Sequence, residues 1–236
     1  MREAVSVAMA TYNGEKYIKE QLDSILVNLQ PQDEIIISDD GSKDNTKSLI
    51  ESYHDQRIHL IEGPHLGVKQ NVGNALNHTS HEIIFLADQD DIWMKDKVDI
   101  VLETMKKEEA TCVVHDALIV DQNCHSLGKT FFEFKNGGVG IRKNIIRNTY
   151  IGCCMAFKRD VLKKALPIPN SIEMHDQWIG LLNEKYGHTY FLKEPLIMYR
   201  RHGDNASKMT HYGIPKMLRN RIVFIWNFFW RTRRKC

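Results

Sequence analysis

The sequence predicts an α/β protein with a Rossmann-like, mostly parallel sheet flanked by helices. Three observations carry that expectation. Short continuous apolar runs recur through the first half, stretches with helical spacing alternate with them, and the unusual polar clusters fall where the runs end. Continuous runs, rather than in-out alternation, suit strands buried on both faces. Strands alternating with helices give a parallel sheet with right-handed crossovers.

The elements follow in order. Residues 5–9, VSVAM, read as a short buried strand. Residues 15–29 then place apolar side chains at Tyr17, Ile18, Leu22, Ile25, Leu26 and Leu29, the spacing of a helix face, and Pro31 stops it. EIIIS at 34–38 is the second strand. DDGSKDNT turns the chain, and Ser42 or Asp44 can cap the helix that follows. IHLIE near 58–62 is the third strand, 68–77 a helix, 83–87 the fourth strand and 95–107 a further helix.

The second half is less regular. TCVVHDALIV at 111–120 and IGCCMAF at 151–157 read as strands, with a helix starting at Arg159. HDQW at 175–178 opens a helix that runs to about Tyr186, and apolar PLIMY precedes YRRHGDNAS. Residues 121–145, with NGGVG at 136–140, are expected to form a mobile loop. No internal repeat or low-complexity tract occurs.

Ligands of parallel α/β sheets bind beyond the carboxyl ends of the strands. TYNG follows the first strand, DDGS the second and DQDD the fourth, so three polar clusters converge on that edge. In the last, Asp88, Asp90 and Asp91 place three carboxylates in four positions at the exit of Ile83–Ala87. Their mutual repulsion needs an offset. A hard divalent cation such as Mg²⁺ or Mn²⁺ prefers carboxylate oxygens and is commonly shared with substrate phosphates. A lone D-x-D is weak, because a solvated turn with Asp91 as a helix cap also explains it; its place at a fourth strand end in an α/β half favours the cation.

VAMATYNG, IIISDDGSKDNT, GVKQNVGNAL and FLADQDDIW, in that order, together with HDQW and YRRHGDNAS, resemble the family 2 glycosyltransferases of GT-A fold, over roughly residues 4–207. DQDDIW is most similar to bacterial enzymes that build rhamnose-containing or related surface polysaccharides. The resemblance implies an inverting, metal-dependent transfer from a nucleoside-diphosphate sugar, a UDP-hexose or dTDP-rhamnose, to a glycan or lipid-linked oligosaccharide. It implies that Thr11 and Tyr12 hold base and ribose, with Asn13 and Gly14 shaping the turn. Asp39 would contact the base, with Asp40 stabilising the loop. Asn71 and Gln89 would line the nucleotide pocket, and Asp88 would face the ribose. Asp90 and His202 would hold Mn²⁺ or Mg²⁺, and Asp176 would be the general base. Chemistry agrees: a departing diphosphate needs neutralising, and the acceptor hydroxyl needs a base within hydrogen-bond reach.

Other readings stay open on the sequence. Asp176 also fits a helix cap, and His202 a partner of Asp204. Trp93 and Trp178 suit either an acceptor platform or the core. Arg200 and Arg201 suit either diphosphate oxygens or acidic loops. His115-Asp116 reads as a structural pair or a pocket wall. The rival functions are a nucleotidyltransferase, for which TYNGEKY is a poor phosphate loop, and a non-catalytic nucleotide-sugar scaffold, which has no need of both acids and base.

The chain has 236 residues, 42% of them hydrophobic and 26% charged, and a net charge of +2, which does not suggest nucleic acid. Five cysteines without C-x-x-C spacing fit reduced thiols of a cytoplasmic protein rather than a disulfide framework or a zinc site. The division expected is a catalytic domain over 1–207 and a basic amphipathic tail over 208–236. From Gly213 onward the tail holds seven Lys or Arg and no acid, with Phe224, Trp226, Phe228, Phe229 and Trp230 among them. Lys216, Asn220, Asn227 and Arg231 fall on one helical stripe. Such a helix is expected to lie on the anionic inner face of the cell membrane, the alternative being a dock on the catalytic domain or a homodimer partner. The chain is short for the family, which leaves room for an acceptor-binding partner protein. No run reaches the roughly 18 apolar residues of a membrane-spanning helix.

Overall fold

The computed structural model describes residues 2–203 and 213–233. The expected boundary at 207/208, Asp204 and Cys236 lie outside the described residues. The first half runs β1 (Val5–Thr11), α1 (Ile18–Leu26), β2 (Glu34–Asp39), α2 (Thr46–Glu51), β3 (Ile58–Glu62), α3 (Val68–His78) and β4 (Ile83–Ala87). β2 and β4 flank β1 in parallel, and β3 adds beside β2. The apolar side chains of β1, β2 and β4 are buried from end to end, apart from half-buried Ala10, as their continuous runs require. Register decides what happens at the edge. Thr11 pairs with Asp39 and Met9 with Ala87, so the chain leaves all three strands at one place.

The second half adds β5 (Ile92–Trp93), α4 (Lys97–Lys107), β6 (Cys112–Val120), β7 (Ser126–Thr130), α5 (Phe131–Lys135) and α6 (Ile141–Ile146). Then come β8 (Met155–Lys158), α7 (Leu162–Ala165), α8 (His175–Tyr186), β9 (Thr189–Arg200) and α9 (Ile214–Arg233). The strand order is β3-β2-β1-β4-β8-β6-β9-β5, with β7 on β6, so one sheet carries both halves. β8 joins them, running antiparallel to β4 and to β6, while β9 returns parallel to β6.

Three local expectations change. Residues 121–145 are not a structureless loop: they hold β7, α5 and α6. Thr130 and Glu133 make a reciprocal capping box, and Asp116 accepts the Phe132 amide at 2.8 Å, so α5 is fixed at both its own start and the sheet. The strand expected over 151–157 begins only at Met155, because Gly152–Cys154 forms a 3₁₀ turn. The helix expected from Arg159 opens as a 3₁₀ turn and is regular only over α7.

α9 lies against α8. Phe224 and Phe228 are buried, and Phe224 meets Trp178 edge-on with ring centres 6.0 Å apart. Polar anchors flank them. Asn227 donates to Ser171 at 2.9 Å, Asn220 to Glu173 at 2.5 Å, and Arg231 to the carbonyls of Lys164 and Leu166, each at 2.9 Å. The Asn220/Asn227/Arg231 part of the stripe read from the sequence therefore faces the protein. No described helix is long and apolar enough to cross a membrane.

Candidate functional site

A cavity of about 670 Å³ opens at the shared strand edge. Thr11, Tyr12, Asp40, Asn71, Asp88, Gln89, Asp90 and Asp176 line it, so carboxylates from both halves of the sheet converge on one space.

The turn after β1 is held from beneath. Gln89 grips the Tyr12 backbone in both directions: its Oε1 accepts the Tyr12 amide at 2.9 Å and its Nε2 donates to the Tyr12 carbonyl at 3.1 Å. A β-carbon on Gly14 would lie 2.4 Å from that Oε1, which explains the glycine. Asn13 adopts a positive φ of 47° and accepts the Lys43 amide at 2.9 Å; it shapes the turn and does not line the cavity. The Tyr12 ring is left 52% exposed at the cavity wall, where a flat base could stack.

Asp39 and Asp40 exchange the places expected of them. Asp39 is fully buried beneath the cavity. Its carboxylate accepts from Thr11 at 3.0 Å, from the Ser42 hydroxyl at 2.6 Å and amide at 2.7 Å, and from the Gly41 amide at 3.1 Å. It has no oxygen left to offer a ligand from that position. Asp40 lines the cavity and also accepts the Gly67 amide at 2.7 Å, at the start of α3. Successive residues at a strand end point opposite ways, so only one of an adjacent pair can face the ligand. Asn71 ties the same corner, donating to the Ser38 carbonyl at 2.7 Å and the Thr11 carbonyl at 3.2 Å.

The three acids after β4 point into two settings. Asp90 faces His202, with Oδ2 and Nε2 2.8 Å apart. Asp88 and Asp91 turn inward with Cys153, their ligating atoms all within 4.8 Å of one another. Burial, then the charges of Asp90 and Asp176, push the Asp88 carboxyl up to about 7. Burial and the neighbouring Asp90 and Asp88 hold Asp91 well above the usual carboxylate range, although the Arg200 amide donates to it at 3.0 Å. Its second oxygen is buried with no hydrogen-bond partner among the described residues. Buried Lys97 sits beneath, its Nζ 3.8 Å above the Trp93 ring and donating to the Cys153 carbonyl at 3.1 Å. Crowded, buried carboxyl groups of this kind, one with an unpartnered oxygen, suit a hard cation, which would favour their ionised forms. The Cys153 thiol does not, because burial holds it protonated.

Asp176 sits in the first turn of α8 and lines the cavity, 7% exposed. Burial pushes its carboxyl up to about 6, against the pull of the Gln177 amide, 2.6 Å away, and of Asn148. Adjacent His175 is also buried, which lowers it to about 4 and keeps its imidazole neutral at pH 7.

Several open readings close. Trp93 and Trp178 are buried at 3% and 0%, and Trp178 donates to the Ala165 carbonyl at 2.9 Å, so both belong to the core. Arg200 is turned to Glu20 at 2.6 Å and lies over the Tyr17 ring. Asp116 is a structural acceptor, and His115 Nδ1 lies 2.7 Å from its backbone carbonyl. Reading the sequence missed Lys43, His65, Met174, His175 and Tyr199, which also line the cavity. The available signals were the basic residue inside DDGSK and the histidine preceding Asp176.

A mostly parallel sheet whose strand ends, with an acidic loop after the fourth strand and Asp176 from α8, share one cavity is an architecture of GT-A type. The sequence profile of glycosyl transferase family 2 matches residues 6–166, and the chain belongs to that family. It is 28% identical over 210 residues to the putative teichuronic acid biosynthesis glycosyltransferase TuaG of Bacillus subtilis, covering 83% of this chain and 78% of that one. It is 26% identical over 236 residues to the dTDP-rhamnosyl transferase RfbG of Shigella flexneri, covering 90% and 80%. Its fold matches that of S. aureus TarS 1-349 in complex with UDP-GlcNAc with a TM-score of 0.74 at 16% identity, over 98% of this chain and 69% of that one.

Proposed function

We propose that this glycosyltransferase moves a sugar from a nucleoside diphosphate to a glycan acceptor in one inverting displacement, with Asp176 as the base. The observation that supports the reading is the shared cavity, which Asp176 lines together with Asp88 and Asp90. The acceptor oxygen bonds to the anomeric carbon as the bond from that carbon to the diphosphate breaks. The electron pair leaves with the diphosphate, and the acceptor proton passes to Asp176. A retaining hydrolase needs a second carboxylate as nucleophile; in this reading the acids after β4 belong to the donor side.

Tyr12 and Asp40 hold the base, with Asn71 and Gln89 fixing their loops. Asp88 faces the ribose. Asp90 and His202 would hold Mn²⁺ or Mg²⁺, with Asp91 close by, and the site fits a hard cation because carboxylate oxygens crowd it. When bound, the cation neutralises the departing diphosphate. The names of relatives support a dTDP-rhamnose donor and a surface polysaccharide product, and that of an Escherichia coli relative, a UDP-Glc:alpha-D-GlcNAc-diphosphoundecaprenol beta-1,3-glucosyltransferase, supports a UDP-hexose donor and a lipid-linked acceptor. The inner face of the cell membrane is the proposed place of transfer.

The test is transfer to lipid-linked acceptor with each donor by wild type and Asp176→Asn. The expected result is an inverted product from wild type. The variant should keep donor binding and transfer at least about 100-fold more slowly. Transfer by the variant near the wild-type rate, or a retained anomeric configuration, overturns the reading.

A further inference from the structure

α9 has two apolar faces, and only one is covered. Phe224 and Phe228 pack on the protein. Leu218, Ile222, Ile225, Trp226, Phe229 and Trp230 are exposed, Ile222 at 67% and Trp226 at 68%. At ~100° per residue these six cluster on the side of the helix opposite Phe224 and Phe228. A tail that only clamped α8 has no use for that second face.

Charge says what covers it. The described helix carries Lys216, Arg219, Arg221, Arg231 and Arg233 and no Asp or Glu. Arg219 and Arg233 are exposed, and Arg233 lies over the Phe229 ring at 3.9 Å, the posture of a side chain whose stem follows apolar surface. A second copy set face to face would bring these cations together with no acid from either helix to pair them. An anionic lipid surface supplies both the apolar layer and the negative charge, and Trp with Arg is the composition of a helix lying in that interface.

The helix also borders the chemistry. A groove of about 150 Å³ runs between α6 and α9, walled by Ile146, Asn148, Gln177, Arg221 and Phe224. The Asn148 side chain and the Gln177 backbone amide both hydrogen-bond the Asp176 carboxylate. Ile146 is exposed at the groove wall, and Arg221 donates to its carbonyl at 2.6 Å.

We propose that α9 lies by its outward face in the surface of an anionic bilayer, which places the α6–α9 groove beside Asp176 at the lipid boundary. The bilayer part stands on α9 alone; the role of the groove in admitting a lipid-linked acceptor rests on the transferase reading above.

The test is co-sedimentation of the full chain with vesicles of phosphatidylcholine, alone or mixed with phosphatidylglycerol. Calorimetric binding of UDP and dTDP with Mn²⁺ and light scattering are run on the same samples. Wild type should bind the mixed vesicles and lose binding as salt rises. Ile222→Ser/Trp226→Ser/Phe229→Ser should lose at least tenfold in vesicle affinity with nucleotide binding and thermal midpoint unchanged. Arg219→Gln/Arg233→Gln should reduce the preference for phosphatidylglycerol. Wild type that binds nucleotide but no vesicle, or a triple variant that binds vesicles as well as wild type, overturns the proposal. So does a wild-type dimer that the triple variant dissolves, which would assign the face to a second copy. Vesicle binding without nucleotide binding leaves the docking surface standing and counts against the transferase reading.

Discussion

His202 Nε2 lies 2.8 Å from Asp90 Oδ2, a contact between residues 112 positions apart that closes the end of β9 onto the loop after β4. The two groups assigned to the cation from the sequence are therefore neighbours in space. Calorimetry of UDP and dTDP with Mn²⁺ or Mg²⁺ should show binding that EDTA removes. Asp90→Ala should abolish the metal-dependent part, and His202→Ala should weaken it with less loss. Equal nucleotide affinity with and without cation counts against the assignment.

As the proposed base, Asp176 must be ionised to take a proton, and burial raises it to about 6. At saturating cation, kcat/KM should fall about tenfold per unit below that pH and level off above it. The acid limb is absent from the residual activity of Asp176→Asn.

The same burial has a cost to the fold. A carboxyl raised in the folded state contributes stability at low pH that is lost as pH rises from the unfolded value, about 3.9, through about 6. Asp176→Asn should therefore unfold at a higher temperature than wild type at pH 8, by roughly 2–4 °C per kcal/mol, and at the same temperature near pH 4. Scanning calorimetry at the two pH values checks this.

Gln89, the middle residue of DQD, is a strap on Tyr12 rather than a ligand to the cation. Removing two hydrogen bonds of about 0.5–1.5 kcal/mol each should weaken nucleotide binding by roughly tenfold. Titration of Gln89→Ala should show that loss with cation affinity intact.

Trp178 fills the core and donates to the Ala165 carbonyl. Trp178→Phe leaves that carbonyl unpaired and should cost about 1–3 kcal/mol in urea unfolding. The acceptor KM should not move, as it would if the ring were a sugar platform.

Much of the donor half was legible, because strands buried on both faces write themselves as unbroken apolar runs and their ends carry the polar clusters. What failed was facing. DD at 39–40 announces a pair of acids without saying which one points out of the sheet, and the packed loop of Gly41, Ser42 and Thr11 decides it. Likewise α9 is apolar around most of its circumference, so its docked side was set by what α8 presents, Trp178 above all. The 121–145 segment was polar and glycine-containing, which hid the Thr130–Glu133 box that starts α5.

The junction at β8 has a mechanical consequence. Because main-chain pairing joins β4, β8 and β6, the strand that leads to the acid loop cannot slide against the second half of the sheet without breaking those pairs. If Asp176 on α8 keeps its place against that frame, the proposed base and the acid loop form a gauge, and changes in specificity should be sought in side chains that shorten or lengthen it.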